Sequence, residues 1–317
     1  MQATSSCPLC QSREAEVLAS QDRHGQPLTT VLCRGCGLGR VDPLPAPQEL
    51  AAFYQERYRL EYKGTFEPKP HHVLRAGRIA QNRIRLLEPW LRPGMSLLDL
   101  GSGGGELVYL LSQRGVRARG HEEDPRYAGY ARRELGIPVT EGDWQAVAAT
   151  GATPFDAVTL FHVLEHLHNP VAALAQVREW LAPGGFALVE VPNLEFAATR
   201  GAHRFHAAHL YYFNGTTLRA AGEQAGLEAR ELFTSPDGGN LLAHFTRGPG
   251  PRPAAPSPSW TGNFEHRLRL ENRRGEFRYW LSPVTWQRTL ARVTRLTEER
   301  ARARRFPCRV EILQSLR

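Results

Sequence analysis

Long apolar runs are missing from this 317-residue chain. No stretch reaches the roughly 18 apolar residues that a membrane-crossing helix needs. The opening residues, Met1-Gln-Ala-Thr-Ser-Ser-Cys7, lack a charged region followed by an apolar one. No secretory signal peptide is therefore expected, and the expected location is cytoplasmic. No Gly-Lys-Ser/Thr occurs, which excludes a phosphate-cradling P-loop. Lysine and aspartate are absent from residues 263–317, which hold fourteen Arg and six Glu. That balance equals the +8 of the whole chain, so the remainder is formally neutral. A basic tail suits nucleic acid, an anionic membrane surface or an acidic substrate, and equally a solvated helical face. The 41% hydrophobic content is compatible with a sizeable core. The length leaves room for one large domain and one or two small ones.

What is present centres on Met95-Ser-Leu-Leu-Asp-Leu-Gly-Ser-Gly-Gly-Gly105. Met95 to Leu100 reads as a buried strand and Leu107, Leu110 and Leu111 have helical spacing. Gly101, Gly103 and Gly105 form the turn between them and allow a ligand close to the backbone. The helix N-terminus adds unpaired N–H groups that suit a carboxylate. A dinucleotide fingerprint wants Gly or Ala where Glu106 stands, so nicotinamide and flavin readings are weakened. Asp-x-Gly-x-Gly-x-Gly resembles motif I of the class I S-adenosylmethionine (SAM) methyltransferases.

Cysteine is scarce, yet four of the five lie in Cys7-Pro-Leu-Cys10 and Cys33-Arg-Gly-Cys36. Two such pairs across a hairpin-length segment form a zinc-ribbon pattern. Cys7, Cys10, Cys33 and Cys36 complete a tetrahedron with no open position, so the expected Zn2+ is structural. Downstream, Gln48 to Tyr58 reads as helical and His71 to Leu91 as an amphipathic helix. Strand patterns follow at Arg117–Glu122, Val139–Gly142, Phe155–Phe161 and Phe186–Val191, with helices at Pro125–Leu135 and Pro170–Leu181. Asn214 caps a helix stopped by Gly226. Arg230–Thr234 and Leu241–Thr246 lie close enough to form a hairpin, so the sheet should end antiparallel. Alternation of this kind implies a doubly wound α/β sheet. The expected division is a zinc ribbon at 1–42, a helical connector at 43–84, a cofactor-binding domain at 85–247, a Pro-rich linker at 248–262 and an Arg-rich helical tail at 263–317. Trp280, Trp286, Leu290, Val293 and Leu296 are candidates to pack the tail on the main domain.

A nucleoside ligand in this fold needs an acid at the end of the second strand. Gly120-His-Glu-Glu-Asp124 supplies it, and register favours Glu122 over Glu123 and Asp124. Asp143 can accept from an adenine amine, and Trp144 offers a flat apolar surface.

The order Leu97-Leu-Asp-Leu-Gly-Ser-Gly-Gly-Gly105, Glu122, Gly142-Asp143, Phe161-His-Val-Leu-Glu-His166 and Leu181-Ala-Pro-Gly-Gly185 extends the resemblance over about 85–250. It is similar to the branch that includes ubiquinone-type O-methyltransferases and bacterial glycan and natural-product methyltransferases. The resemblance implies a Rossmann-like, seven-stranded sheet of order 3-2-1-4-5-7-6 with its last strand antiparallel. It implies SAM with its amino acid end against Gly101, Gly103 and Gly105, with Asp99 near the ammonium. His162 is expected to line the cofactor wall or act as base. His166 and His209 are further base candidates, since a hydroxyl acceptor must lose its proton. His203, His206 and His209 offer a second metal set, which the sequence favours less than structural or substrate-contact roles; Tyr211 and Tyr212 are expected in the packing of a substrate lid. No Asn/Asp-Pro-Pro-Tyr/Phe or Pro-Cys follows the fourth strand, which argues against nucleic-acid amine and cytosine C5 methylation. Three functions follow. The first is O-methylation of a small molecule, sugar or lipid-linked glycan. The second is a zinc-ribbon RNA methyltransferase that grips RNA with its tail. The third is a non-catalytic interaction subunit.

Overall fold

The computed structural model describes residues 3–46, 48–50, 67–145, 147, 154–196, 204–252, 258–272 and 283–316. Three strands open the chain: β1 (Ala15–Gln21), β2 (Pro27–Cys33) and β3 (Gly39–Val41). Then come α1 (Pro70–Leu87), β4 (Ser96–Leu100), α2 (Glu106–Ser112), β5 (Arg117–Glu122), α3 (Pro125–Leu135) and β6 (Val139–Glu141). β7 (Phe155–Phe161) leads to a 3-10 turn at Leu164–His166, α4 (Pro170–Trp180) and β8 (Leu181–Pro192). Next are β9 (Tyr211–Tyr212), α5 (Gly215–Gln224), β10 (Leu227–Thr234) and β11 (Asn240–Arg247). Helices α6 (Pro258–Asn272), α7 (Pro283–Ala303) and α8 (Arg309–Gln314) close the chain. No described helix is long and apolar enough to cross a membrane.

The seven-stranded sheet has the order β6-β5-β4-β7-β8-β11-β10. β4 lies between β5 and β7 and is parallel to both. β11 runs antiparallel to β8 and to β10, so the expected order and antiparallel strand are both present. β4 is central because Leu97, Leu98 and Leu100 are all buried, as the apolar run demands. Local signals set the helices. Asp124 accepts from Arg126 N–H at 2.9 Å and caps α3, and Gly136 ends it at φ 65°. Asn214 and Thr217 form a reciprocal capping box at the start of α5.

The chain divides into two compact units, one of residues 1–47, 161–179 and 186–287, the other of 48–160, 180–185 and 288–317. In the first, the ribbon strands form a four-stranded sheet of order β1-β2-β3-β9. This corrects the expected lid role of Tyr211 and Tyr212. They pair with Arg40 and Gly39 of β3, and both are buried. The ribbon is thus completed by a distant segment, because β3 would otherwise expose an unpaired edge. The stretch expected as linker is helical from Pro258 onward. α6 serves the ribbon: Asn263 Nδ2 donates to the Cys36 carbonyl at 2.8 Å and Arg267 donates to the Leu194 carbonyl at 3.0 Å. A Cβ on Gly37 would come within 2.6 Å of Asn263 Nδ2, so only glycine fits there.

In the second unit the C-terminal residues pack on α1. Arg75 Nε donates to buried Glu299 at 2.8 Å, and Gln81 Nε2 donates to the Leu316 carbonyl at 2.7 Å. A Cβ on Gly77 would sit 2.6 Å from Leu316 Cδ1, so its absence lets α8 approach α1. Trp286 and Leu290, expected to pack the tail, are exposed instead. Of the helix expected at 48–58, residues 48–50 are helical and the rest lies outside the described residues, as do Trp280, His203 and the side chain of Val293.

Both cysteine pairs make the same knuckle. Gln11 N–H donates to the Cys7 carbonyl at 2.9 Å and Gly37 N–H to the Cys33 carbonyl at 2.8 Å. Each donor residue has positive φ, 61° at Gln11 and 78° at Gly37. Gln11 is exposed and carries a Cβ where its counterpart does not. Gln11→Gly is therefore expected to stabilise the ribbon by about 0.5–1 kcal/mol, read as a higher midpoint in thermal denaturation.

Candidate functional site

In the second unit, the turn after β4 carries φ of 73°, 58° and 83° at Gly101, Gly103 and Gly105. A Cβ built on Gly103 would meet nothing within 4 Å, so its backbone faces open space. Glu122, at the end of β5, accepts from Gly103 N–H at 2.8 Å and from Asp124 N–H at 3.1 Å. Of the three adjacent acids, Glu122 is the one that reaches the turn. Glu123 is exposed, while Asp124 is engaged as the α3 cap. Asp99 is buried and accepts from the Thr159 hydroxyl at 2.7 Å. Burial pushes its carboxyl up to about 6, against the opposing pulls of Thr159 and Arg83. Ser102 Oγ, in the same turn, is buried with no hydrogen-bond partner. Asp143 is exposed and accepts from Gln145 N–H at 2.8 Å. Trp144 is half-buried and lies edge-on to Trp180, ring centres 6.0 Å apart.

In the first unit, the chain leaves β7 into His162, which holds φ 58°. Its Nδ1 lies 3.2 Å from Glu165 Oε1 and its Nε2 2.8 Å from Glu190 Oε1. A carboxylate only accepts, so both ring nitrogens carry a proton. Burial works against that charge, but the two carboxylates outweigh it and raise His162 to about 9. Glu165 is fully buried and also faces His166 Nε2 at 3.9 Å and His209 Nε2 at 3.8 Å. His166 Nδ1 is 2.6 Å from the Ala208 carbonyl. Burial drives His209 well below the usual imidazole range, with His166 and His206 adding to the effect. The His206 ring centre lies 3.7 Å from that of His209, the planes tilted by 48°, and His206 is lowered, by burial first, to about 3. The three base candidates thus fall in one cluster around Glu165. Sequence reasoning missed Glu190, whose signal is a lone acid in the apolar run Phe186–Val191. It noted Glu165 only as a neighbour of the histidines.

The four N-terminal cysteines are grouped closely enough to hold a metal ion, their sulfurs all within 4.8 Å of one another. Cys7 and Cys36 sulfurs are 3.6 Å apart and those of Cys10 and Cys33 3.3 Å. These spacings exceed the about 2.05 Å of a disulfide. They approach the about 3.8 Å edge of a tetrahedron with Zn–S bonds of about 2.3 Å. The all-sulfur donor set fits zinc.

A model of the methyltransferase domain family matches residues 71–232. The chain belongs to that family. Among the methyltransferase's relatives, a ubiquinone biosynthesis O-methyltransferase of Azoarcus sp. (strain BH72) is 34% identical over 110 residues, 33% of this chain and 47% of that protein. The match thus spans about half of that relative's length. A protein of the same name from Aromatoleum aromaticum (strain DSM 19018 / LMG 30748 / EbN1) is 28% identical over 212 residues, 59% of this chain and 85% of that one. The structure of Burkholderia thailandensis 1,6-didemethyltoxoflavin-N1-methyltransferase shares 19% identity, covers 74% of this chain and 99% of its own, and has a TM-score of 0.47. The chain has the sheet order expected of the methyltransferase domain family, and its glycine turn fits SAM. Open space over Gly103 admits a ligand, and the buried acids Asp99 and Glu122 suit one that carries an ammonium and paired hydroxyls.

Two outcomes are expected. In the cobalt-substituted protein, changing Cys7, Cys10, Cys33 and Cys36 together to Ser should remove the sulfur-to-cobalt charge-transfer band expected of a four-thiolate site. The raised carboxyl of Asp99 gives the second. Its folded pKa of about 6 lies above the unfolded 3.8, so its cost is absent below about pH 3.8 and grows until about pH 6. Asp99→Asn should then raise stability in denaturant at pH 7 by on the order of 3 kcal/mol, with no gain at pH 3.5.

Proposed function

We propose that the methyltransferase transfers a methyl group from SAM to a hydroxyl of a small molecule, sugar or lipid-linked glycan. The observation that carries the reading is the glycine turn with Glu122 closing on Gly103 N–H. When bound, SAM supplies an electrophilic methyl whose leaving group departs neutral. Gly101, Gly103 and Gly105 present backbone to its amino acid end, and Asp99 holds the ammonium. Glu122 takes the ribose hydroxyls, Asp143 the adenine amine, and Trp144 the adenine face. Glu122 must exchange its bond to Gly103 N–H for the ribose, which keeps the carboxylate satisfied in both states.

The acceptor's oxygen must lose a proton, and the Glu165–His166–His209 cluster is where it goes. His162 does not serve as base, because both its nitrogens already donate to carboxylates. It holds Glu165 in place. Support for oxygen over nitrogen comes from the O-methyltransferases named among the relatives. The Arg-rich tail gives the RNA reading little weight: Arg309 lies over the Tyr130 ring at 5.4 Å, and Arg295 faces buried Glu299 at 3.9 Å.

Calorimetry with SAM tests the cofactor half. Glu122→Ala is expected to weaken binding at least about tenfold, as the loss of a buried, charged partner does; unchanged affinity would refute the assignment. His209→Ala is expected to keep SAM affinity and lose about 10²–10⁴ in turnover.

A further inference from the structure

The ribbon contains a cation that is cut off from water. Arg13 and Arg34 are exposed and Arg23 is half-buried, whereas Arg40 on β3 has 0% exposure. Arg40 lies opposite Val31 of β2 and Tyr211 of β9 in the ladder, and both are buried. Its Nη2 donates to the Ser5 carbonyl at 2.5 Å. Nε and Nη1 are buried and, among the described residues, meet no hydrogen-bond partner and hence no carboxylate. Asp42 is the nearest acid along the chain, but its oxygens are spent on Thr4 N–H at 2.8 Å, Ser5 N–H at 3.1 Å and the Ser5 hydroxyl at 2.8 Å. A guanidinium cannot shed its proton, so Arg40 holds a full charge in a dry place, and such a charge is strongly destabilising unless an opposite one answers it.

The chain brings this cation to the cysteine knuckles from both sides. Arg40 lies on the strand that leaves the second knuckle, just after the turn in which Cys33 N–H donates to the Leu38 carbonyl at 2.9 Å. Its acceptor, Ser5, lies on the segment that enters the first knuckle at Cys7. Cys7, Cys33 and Cys36 are fully buried. Cys7 and Arg40 also act in opposite directions on the buried Tyr211 phenol, which burial and Cys7 push up and Arg40 pulls back. Two knuckle carbonyls are met by neutral amides, Leu9 by Gln224 Nε2 at 2.7 Å and Cys36 by Asn263 Nδ2 at 2.8 Å. Those amides satisfy the backbone and bring no charge.

We propose that Arg40 is the counter-cation of the four-cysteine metal site. A divalent ion and four thiolates carry two surplus negative charges between them. A buried dianion and a buried guanidinium without an acid are each costly alone, and each offsets the other when they share one core. Arg40 is not a ligand. It acts through its charge on the loaded site, as outer partners of metal ligands do, and its bond to the Ser5 carbonyl fixes where that charge sits. This rests on the reading of the ribbon as a four-thiolate site and is independent of which acceptor is methylated.

The test is zinc affinity of the full chain at fixed pH, read by competition with a colorimetric chelator and checked by elemental analysis. Three variants separate charge from shape. Arg40→Met keeps the length of the side chain and removes the charge. Arg40→Gln removes the charge and keeps a donor for the Ser5 carbonyl. Arg40→Lys keeps the charge and loses the planar fork. The first two should each weaken zinc binding at least about tenfold, and Arg40→Lys should retain most of the affinity. Zinc affinity unchanged in both Arg40→Met and Arg40→Gln would overturn the proposal. So would a loss in Arg40→Lys as large as in the other two, since shape and not charge would then be what the site needs. A wild-type chain that takes up no zinc would overturn the four-thiolate reading itself, and Arg40's role with it.

Discussion

A carboxylate taken out of water must be met by donors or by positive charge, and that constraint organises both units. Glu165 is the extreme case, with no exposure at all. Around it the structure gathers His162, His166 and His209, and it draws in Glu190 to share the charge of His162. In the other unit Asp99 and Glu122 are buried beside the glycine turn. Thr159 meets the first, and the backbone N–H groups of Gly103 and Asp124 meet the second. Such burial adds little or nothing to stability. It leaves acids whose remaining capacity is directed at a ligand.

The rest of the chain supports these arrangements. The ribbon gains β9 as a fourth strand, and Asn263 of α6 reaches the Cys36 carbonyl while bonding to Asn214, the cap of α5. One amide thereby links a metal knuckle, a ribbon-facing helix and a helix cap. The C-terminal residues play the equivalent part in their own unit. Their arginines and glutamates are partly spent on α1 and α3, through Arg75 with Glu299 and Arg309 with Tyr130 and Glu134. Composition marked this tail as basic, but packing decides what that charge does.

Features encoded in short spacings were legible in the sequence. Asp99 and the alternating glycines specified a strand, a turn and a helix. Counting along β5 selected Glu122 from three adjacent acids. Two C-x-x-C pairs specified a ribbon, and the hairpin at the chain's later strands placed the antiparallel strand. Features that depend on distant partners were not legible. Tyr211 and Tyr212 carry no sign that β3 needs an edge partner. The charge state of His162 is set by Glu190, which nothing in its own neighbourhood announces. The histidines were visible as candidates, yet only the fold shows that they share one carboxylate. The contact of His166 Nδ1 with the Ala208 carbonyl is one that no spacing rule finds.

The central claim is that the turn after β4, closed by Glu122, is the cofactor's seat. Photocrosslinking of radiolabelled SAM to the intact chain, followed by mapping of the labelled peptide, tests it most directly. The account predicts label in the peptides that carry residues 99–105 or 121–124, competed away by S-adenosylhomocysteine. Label confined to the ribbon or the C-terminal helices, or label that the competitor does not displace, would contradict it.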